Sequence, residues 1–181
     1  MELNSIFVAM NSIEITRIGL EQLVQLQEIG QQTFKETFSS SNREENIKSY
    51  LANGFSTEKM SAELENPNSE FYFASYNERI IGYLKINFGS AQTESQGDHA
   101  LEIERIYVLQ EFHGKQVGQL LYDKAIQIAR NKKLAYVWLG VWEQNHRALQ
   151  FYSKNGFVEF DQHVFVLGDD QQTDIMMKLL L

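Results

Sequence analysis

The 181-residue chain contains no cysteine and a single proline, Pro67. Without cysteine, disulfides, thiolate metal sites and a cysteine nucleophile are all excluded. No apolar run approaches the roughly 20 residues that a membrane-spanning helix needs. The first residues also lack the basic segment of a secretory signal, and we expect residues 1–11 to form a flexible leader. These absences predict a cytoplasmic protein without a membrane partner.

Positive charge is scarce as well, with 16 Lys and Arg residues against 24 Asp and Glu residues and a formal net charge of −8. Arg130, Lys132 and Lys133 cluster where a helix is predicted to end, and cations there complement the helix dipole. An acidic surface repels nucleic-acid phosphates. We therefore predict no nucleic-acid partner and, since His99 and His163 are isolated in the sequence, no metal site.

The length and the 43% hydrophobic content fit a single domain over residues 1–181. Periodicity predicts, in order, a strand, several helices, three strands, a helix, a strand, a helix and two strands. Because helices fall between strands only in part, this order favours an α/β fold of the mixed α+β kind, with one mixed sheet and helices on both faces. Residues 136–141 read as a parallel strand covered on both faces. Residues 158–167 and 175–180 read as two final strands around a loop.

Residues 101–118 combine a predicted strand, a short loop and the start of an amphipathic helix. Gly114, Lys115 and Gly118 lie at the helix start, where unpaired N–H groups and the dipole favour phosphate. Taken alone, this pattern is equally typical of a turn glycine followed by a solvated lysine. A Walker loop is excluded because Gly-Lys-Ser/Thr is absent, and the dinucleotide fingerprint is incomplete.

A second pattern lies in residues 145–157, where a short predicted helix ends at Gly156. Ala148 and Phe151 are predicted to share its buried face, with Phe151 anchoring the helix. Tyr152 then lies beside that face and reaches the strand ends. The alternative is an ordinary amphipathic helix with an interfacial tyrosine.

Together the two patterns resemble the GCN5-related N-acetyltransferase (GNAT) superfamily. The matching residues are Ile106, Tyr107, Val108, His113, Gly114, Gly118, Asn145, Ala148, Phe151, Tyr152, Gly156 and Phe157. Residues 138–143 and 165–177 are similar to the PaiA-type spermidine/spermine acetyltransferases. The resemblance implies a central, largely antiparallel twisted sheet and an acetyl-CoA-dependent N-acetyltransferase. It also implies a small primary amine as acceptor, a polyamine such as spermidine or spermine, and a homodimer.

The resemblance further implies which residues bind acetyl-CoA. Backbone groups of the strand would hold the pantetheine, the loop would hold the phosphates, Asn145 would contact the pantetheine arm and Lys154 a phosphate. The strand residues are Ile106, Tyr107 and Val108, and the loop residues are His113, Gly114, Lys115, Gln116, Val117, Gly118 and Gln119. The family pattern Gln/Arg-x-x-Gly-x-Gly/Ala is broken at His113, which can still donate to phosphate, and at Gln116, which adds bulk. We expect Gly118 to be the tighter steric requirement.

The expected reaction is direct attack of the amine on the thioester. An alkylamine has a pKa of about 10.4, so a proton must leave before attack. Tyr152 is the predicted general acid toward the departing thiolate, and Val108 N–H the predicted oxyanion donor. Glu102 and Glu104, predicted to share one strand face, are candidate bases acting through water. The alternative for this pair is a solvent-facing position on a half-exposed strand.

Glu36 and Trp142 are candidate acceptor-binding residues, with a helix-surface glutamate and a packing tryptophan as the alternatives. Two other functions stay open. One is acetylation of a protein N-terminus or lysine, which needs an open groove. The other is a non-catalytic CoA-binding regulatory module, which the departure at Gln116 favours and the retained Tyr152 disfavours.

Overall fold

A computed structural model of the protein describes residues 13–167 and 169–181. The predicted leader, residues 1–11, lies outside the described residues, as does Gly168. The strands are β1 Ile13–Ile18, β2 Ser69–Tyr76, β3 Arg79–Phe88, β4 Ala100–Val108, β5 Tyr136–Trp142, β6 Val158–Leu167 and β7 Asp170–Leu180. The helices are α1 Leu23–Phe38, α2 Glu44–Gly54, α3 Thr57–Glu65, α4 Val117–Asn131 and α5 His146–Lys154. Short 3-10 turns cover Leu20–Gln22, Gly89–Ala91 and Gln110–Phe112.

The strands form one seven-stranded sheet in the order β1-β2-β3-β4-β5-β7-β6. Within the described residues, β4 and β5 are parallel and the other neighbouring pairs are antiparallel. The mixed, largely antiparallel sheet is therefore confirmed. The predicted parallel character of β5 holds for its edge with β4, whereas its other edge pairs antiparallel with β7 along the full strand.

Helices cover both faces of the sheet, as expected. Phe71 and Phe73 of β2 pack into a cluster with α1, α2 and α3 on one face. Tyr72 and Ala74, the alternate residues of the same strand, pack with α4 and α5 on the other face. This period of two follows from the pleat of a strand, and burial on both faces supplies the main stabilisation of the sheet.

Local sequence features explain several boundaries of the elements. The Ser56 hydroxyl accepts from the Lys59 N–H and caps α3. The turn between β2 and β3 consists of Asn77 and Glu78, both with positive φ, as a two-residue hairpin turn requires. The predicted loop after residue 167 is shorter than expected, because β7 begins at Asp170 rather than at Ile175.

The separation of β4 from β5 positions the site. Ile103 pairs with Ile86 and Arg105 with Lys85, so Glu104 is an extra residue that forms a β-bulge in β4. Between β4 and β5 the pairing ends at Glu102. Beyond that point the two strands diverge, and a gap opens in the middle of the sheet.

Gly82 of β3 lies opposite Val108, and a substitution there tests how closely β3 and β4 must pack. A Cβ at Gly82 would lie 2.6 Å from the Tyr107 carbonyl oxygen, a backbone atom that cannot move away without disturbing β4. We expect Gly82→Ala to lower the free energy of unfolding by about 1–3 kcal/mol, as overpacking does. Urea denaturation measures the change.

Gly19→Ala is the matched control, because a Cβ at Gly19 meets nothing within 4 Å. Its stability should stay within about 0.5 kcal/mol of the wild-type value. Equal losses in the two variants would contradict the clash with Tyr107.

Candidate functional site

The gap between β4 and β5 holds two cavities that share a wall. The inner cavity, of about 280 Å³, is bounded by α1, α2, β4, β5 and β7. The loop cavity, of about 560 Å³, lies between the end of β4, the loop that follows it, and the starts of α4 and α5. The residues common to both walls are Ile106, Tyr107, Asn145, Ala148 and Tyr152. A molecule that fills both cavities therefore passes Tyr152.

Beyond Glu102 the edge of β4 turns backbone groups that do not pair with β5 toward this gap. The Leu109 N–H donates to the Ile81 carbonyl of β3 at 2.9 Å. Because backbone groups alternate between the two edges of a strand, the N–H and C=O of Val108 face the opposite edge, toward the gap. The Val108 carbonyl there accepts from His113 Nε2 at 2.8 Å. Val108 N–H thus lies where the sequence predicts an oxyanion donor.

The loop and the first turn of α4 form a cradle suited to phosphate. Gln116 is the N-terminal cap residue of α4, with φ 63° and ψ 9°, a left-handed conformation that costs a non-glycine residue about 1 kcal/mol. Its side chain is exposed at the wall of the loop cavity, so its bulk is not packed inside the protein. A Cβ at Gly118 would meet nothing within 4 Å, so the protein alone does not require glycine there. The open space lies over a helix N-terminus, where unpaired N–H groups and the helix dipole favour an anion such as a diphosphate.

His113 does not offer the phosphate donor that the sequence predicts. A carbonyl only accepts and a guanidinium only donates, so Nε2 carries the proton toward Val108 and Nδ1 accepts from Arg147 Nη1. Burial lowers the pKa of His113, the bond to Val108 opposes this, and the charge of Arg147 lowers the pKa further. The ring is therefore neutral, and both of its nitrogens already have hydrogen-bond partners.

Tyr152, rather than Phe151, is the buried aromatic of α5, which corrects the predicted faces of this helix. Its ring packs against Phe157 and Phe151, with centroid distances of 5.5 and 5.1 Å. Burial raises the pKa of Tyr152, and the nearby Tyr122 adds to the effect. The hydroxyl consequently keeps its proton throughout the neutral range and can act as a donor.

Glu102 is buried at the wall of the inner cavity, with 2% of its surface exposed. Its carboxylate accepts from Asn87 Nδ2 at 2.9 Å, from Thr93 N–H at 2.8 Å and from the Thr93 hydroxyl. Burial raises the pKa of Glu102, while the hydrogen bonds from Thr93 and Asn87 oppose the rise. A carboxylate with a raised pKa is the better proton acceptor at neutral pH.

Glu104 belongs to a buried network of four charges. Its two oxygens bind Lys85 at 2.6 Å and Arg105 at 2.9 Å, and both cations also bind Glu63. Burial would raise the pKa of Glu104, but the charges of Arg105 and Lys85 and their hydrogen bonds lower it to about 2. The solvent-facing alternative for Glu102 and Glu104 is wrong, because both side chains are inside the protein.

Further ionisable groups of the inner cavity come from residues without a catalytic motif. His163 of β6 lies opposite Asp174 of β7, and its Nδ1 is 2.7 Å from Glu94 Oε1. Burial raises the pKa of Asp174, which the charge of His163 partly offsets. Sequence reasoning missed this group because its members are far apart in the chain. Its one signal was the similarity of residues 165–177 to the PaiA-type enzymes.

Of the two predicted acceptor residues, Trp142 lines the inner cavity and Glu36 does not. The Trp142 ring lies 5.8 Å from that of Phe38, and the rings of Phe34 and Tyr50 stack at 4.3 Å. Glu36 lines the loop cavity instead, where its Oε2 accepts from the Gln110 N–H at 2.7 Å. Aromatic rings and carboxylates thus share the inner cavity.

Most predicted loop residues line the loop cavity, namely His113, Gly114, Gln116, Val117, Gly118 and Gln119. Asn145 also lines it, although its side-chain oxygen caps α5 by accepting from the Ala148 N–H. Lys115 and Lys154 are exposed outside both walls, with Lys115 Nζ 4.8 Å from the Phe112 ring centroid. The cation that does line the cavity, Arg147, was not singled out from the sequence.

Within residues 13–167 and 169–181, no three His, Asp or Glu side chains are grouped so as to hold a metal ion. Over the same part of the chain, no helix has the length and apolar character to cross a membrane.

A family model described as "Acetyltransferase (GNAT) family" matches residues 25–157. An uncharacterized N-acetyltransferase of Lactobacillus delbrueckii subsp. lactis is 36% identical over 172 residues, 95% of this chain and 99% of that protein. A spermidine N(1)-acetyltransferase of Thermoplasma acidophilum is 29% identical over 81% of this chain and 88% of that protein. The crystal structure of the PaiA N-acetyltransferase of Thermoplasma acidophilum with coenzyme A superposes with a TM-score of 0.77 at 27% identity. That superposition covers 94% of this chain and 99% of the other.

Glu104 makes the stability of the fold depend on pH. Its folded-state pKa lies below the ordinary 4.5, so the ionised carboxylate stabilises the fold above that pH. The stabilisation, about 3 kcal/mol, is lost as the pH falls from 4.5 toward 2. We expect Glu104→Gln to lower the free energy of unfolding at pH 7 by about 3 kcal/mol. The variant should also depend less on pH between 4.5 and 2, as measured by urea denaturation.

The exposed Glu28 of α1 provides the control, since Glu28→Gln should keep the wild-type stability and pH dependence. A Glu104→Gln variant with an unchanged slope would contradict the assigned pairing with Lys85 and Arg105.

Proposed function

The chain belongs to the GNAT family of acetyltransferases and uses acetyl-CoA to acetylate an amine, and we propose that this amine is a polyamine such as spermidine or spermine. The main support is the inner cavity, whose wall combines Glu102 and Asp174 with the rings of Phe38 and Trp142. Carboxylates and aromatic faces together suit ammonium groups joined by alkyl chains. The spermidine N(1)-acetyltransferase relative supports the same class of acceptor.

The size of the inner cavity also favours a small acceptor. At about 280 Å³ it lies just below the usual range for small-molecule sites, which begins at about 300 Å³. A protein N-terminus or lysine would instead need an extended groove. The regulatory alternative depended on Gln116, whose exposed side chain and left-handed backbone leave the helix start open.

The proposed roles follow from the positions of the groups. Acetyl-CoA supplies the acyl group as a thioester. Val108 N–H faces the gap and would stabilise the negative charge that develops on the acyl oxygen. Glu102, rather than Glu104, would take the proton of the amine through water, because Glu104 is held by Lys85 and Arg105.

Tyr152 would donate a proton or hydrogen bond to the departing sulfur. Its burial disfavours the phenolate, which makes full proton transfer harder. The same apolar surroundings also disfavour a thiolate, which opposes that effect. The cytoplasmic location and the homodimer belong to the same proposal and rest on the sequence and the resemblance.

The acceptor class is tested by steady-state turnover with spermidine, spermine, butylamine, and peptides with a free N-terminus or lysine. We expect kcat/KM for the polyamines to exceed that for butylamine by about tenfold or more, because a second ammonium gains carboxylate contacts. Asp174→Asn should lower kcat/KM for the polyamines more than for butylamine and so narrow this ratio. A preference for peptides would contradict the polyamine proposal. Normal CoA binding without turnover of any acceptor would support the regulatory alternative.

The role of Tyr152 is tested by Tyr152→Phe, which removes only the hydroxyl. We expect kcat to fall about 100-fold or more, with the Kd for CoA nearly unchanged, because the hydroxyl acts on the leaving group. Tyr122→Phe is the matched control, since Tyr122 belongs to the same aromatic cluster but lines neither cavity. If both variants keep wild-type turnover, Tyr152 is not the acid.

A further inference from the structure

Arg147 brings a positive charge to the loop cavity from outside the phosphate loop. It lies in the first turn of α5, on the β5 side of the gap, and lines the loop cavity with Gly114 and Gly118. Among the described residues that line this cavity, it is the one Lys or Arg. The positive charge at the cradle therefore comes from α5 and not from the loop.

The guanidinium of Arg147 is held in place by His113. One of its N–H groups donates to His113 Nδ1, and His113 Nε2 donates to the Val108 carbonyl at 2.8 Å. Imidazole thus connects the guanidinium to the backbone of β4 across the gap. A guanidinium has five N–H donors, so four stay available to an anion.

We propose that Arg147 binds the diphosphate of CoA and that His113 is the residue that positions it. Arginine presents a planar fork that matches two phosphate oxygens, and its charge shortens and strengthens these bonds. The acidic Glu36 on the same wall is already held by the Gln110 N–H and by Gln32. The inference requires only CoA binding and is independent of the acceptor.

Calorimetric titration of Arg147→Gln with CoA, 3′-dephospho-CoA and pantetheine tests the assignment without turnover. The Kd for CoA and for 3′-dephospho-CoA should each rise about tenfold or more, while the Kd for pantetheine should stay unchanged. Arg130→Gln, which removes an exposed arginine at the far end of α4, is the control and should bind all three normally.

Three results would overturn the assignment to the diphosphate. An unchanged Kd for CoA would show that Arg147 makes no phosphate contact. An equal loss with pantetheine would point to a structural defect. A loss confined to CoA would place Arg147 at the 3′-phosphate.

The positioning role of His113 is tested by a double-mutant cycle. His113→Ala should weaken CoA binding several-fold, but should add no further loss in the Arg147→Gln background, because its effect passes through Arg147. His113→Gln keeps one donor and one acceptor and should restore binding to within about twofold of the wild type. Additive losses, or no rescue by glutamine, would refute the positioning role.

Discussion

The divergence of β4 and β5 after Glu102 is the constraint on which the site depends. A strand in mid-sheet normally has both edges paired, and its backbone groups are then unavailable to a ligand. Pairing with β5 ends at Glu102, just before the bulge at Glu104, so the second half of β4 has one edge without a strand partner. Both cavities lie along that edge, and Tyr152 lies where they meet.

The bulge is held by an ionic network that also separates the roles of two neighbouring carboxylates. Burying Lys85, Arg105, Glu63 and Glu104 costs several kcal/mol per ion, so they persist only because each has opposite charges and hydrogen bonds around it. Asn87 donates to both Glu102 and Glu104. Yet of these two carboxylates the cations pair with Glu104 alone, and Glu102 is left with neutral donors. Glu102 and Glu104 are only two positions apart, yet Glu104 is a structural carboxylate and Glu102 is suited to proton transfer.

Sequence reasoning could predict the elements and one side of the site, because these depend on local pattern. Alternation predicted the strands, and the family motifs placed Val108 and Tyr152 in one site. The rest depends on contacts between distant residues. Nothing local shows that Arg147 meets His113, or that Asp174 lies beside the inner cavity. The burial of Glu104 could not be predicted either. A strand that alternates charged and apolar residues is typical of a half-exposed strand, and only the folded structure shows that Lys85 and Glu63 cover this one.

The contact between His113 and Arg147 offers a physical reason for the departure from the family loop pattern at His113. An arginine or glutamine in the loop would present its donors from the β4 side alone. Here the loop contributes a neutral imidazole, and the charge comes from α5 on the β5 side. In the proposed arrangement a diphosphate would contact the start of α4 and Arg147 together, and so bridge the two diverging halves of the sheet. Binding at the loop cavity would then restrain the width of the gap, and with it the distance between Val108 on β4 and Tyr152 on α5.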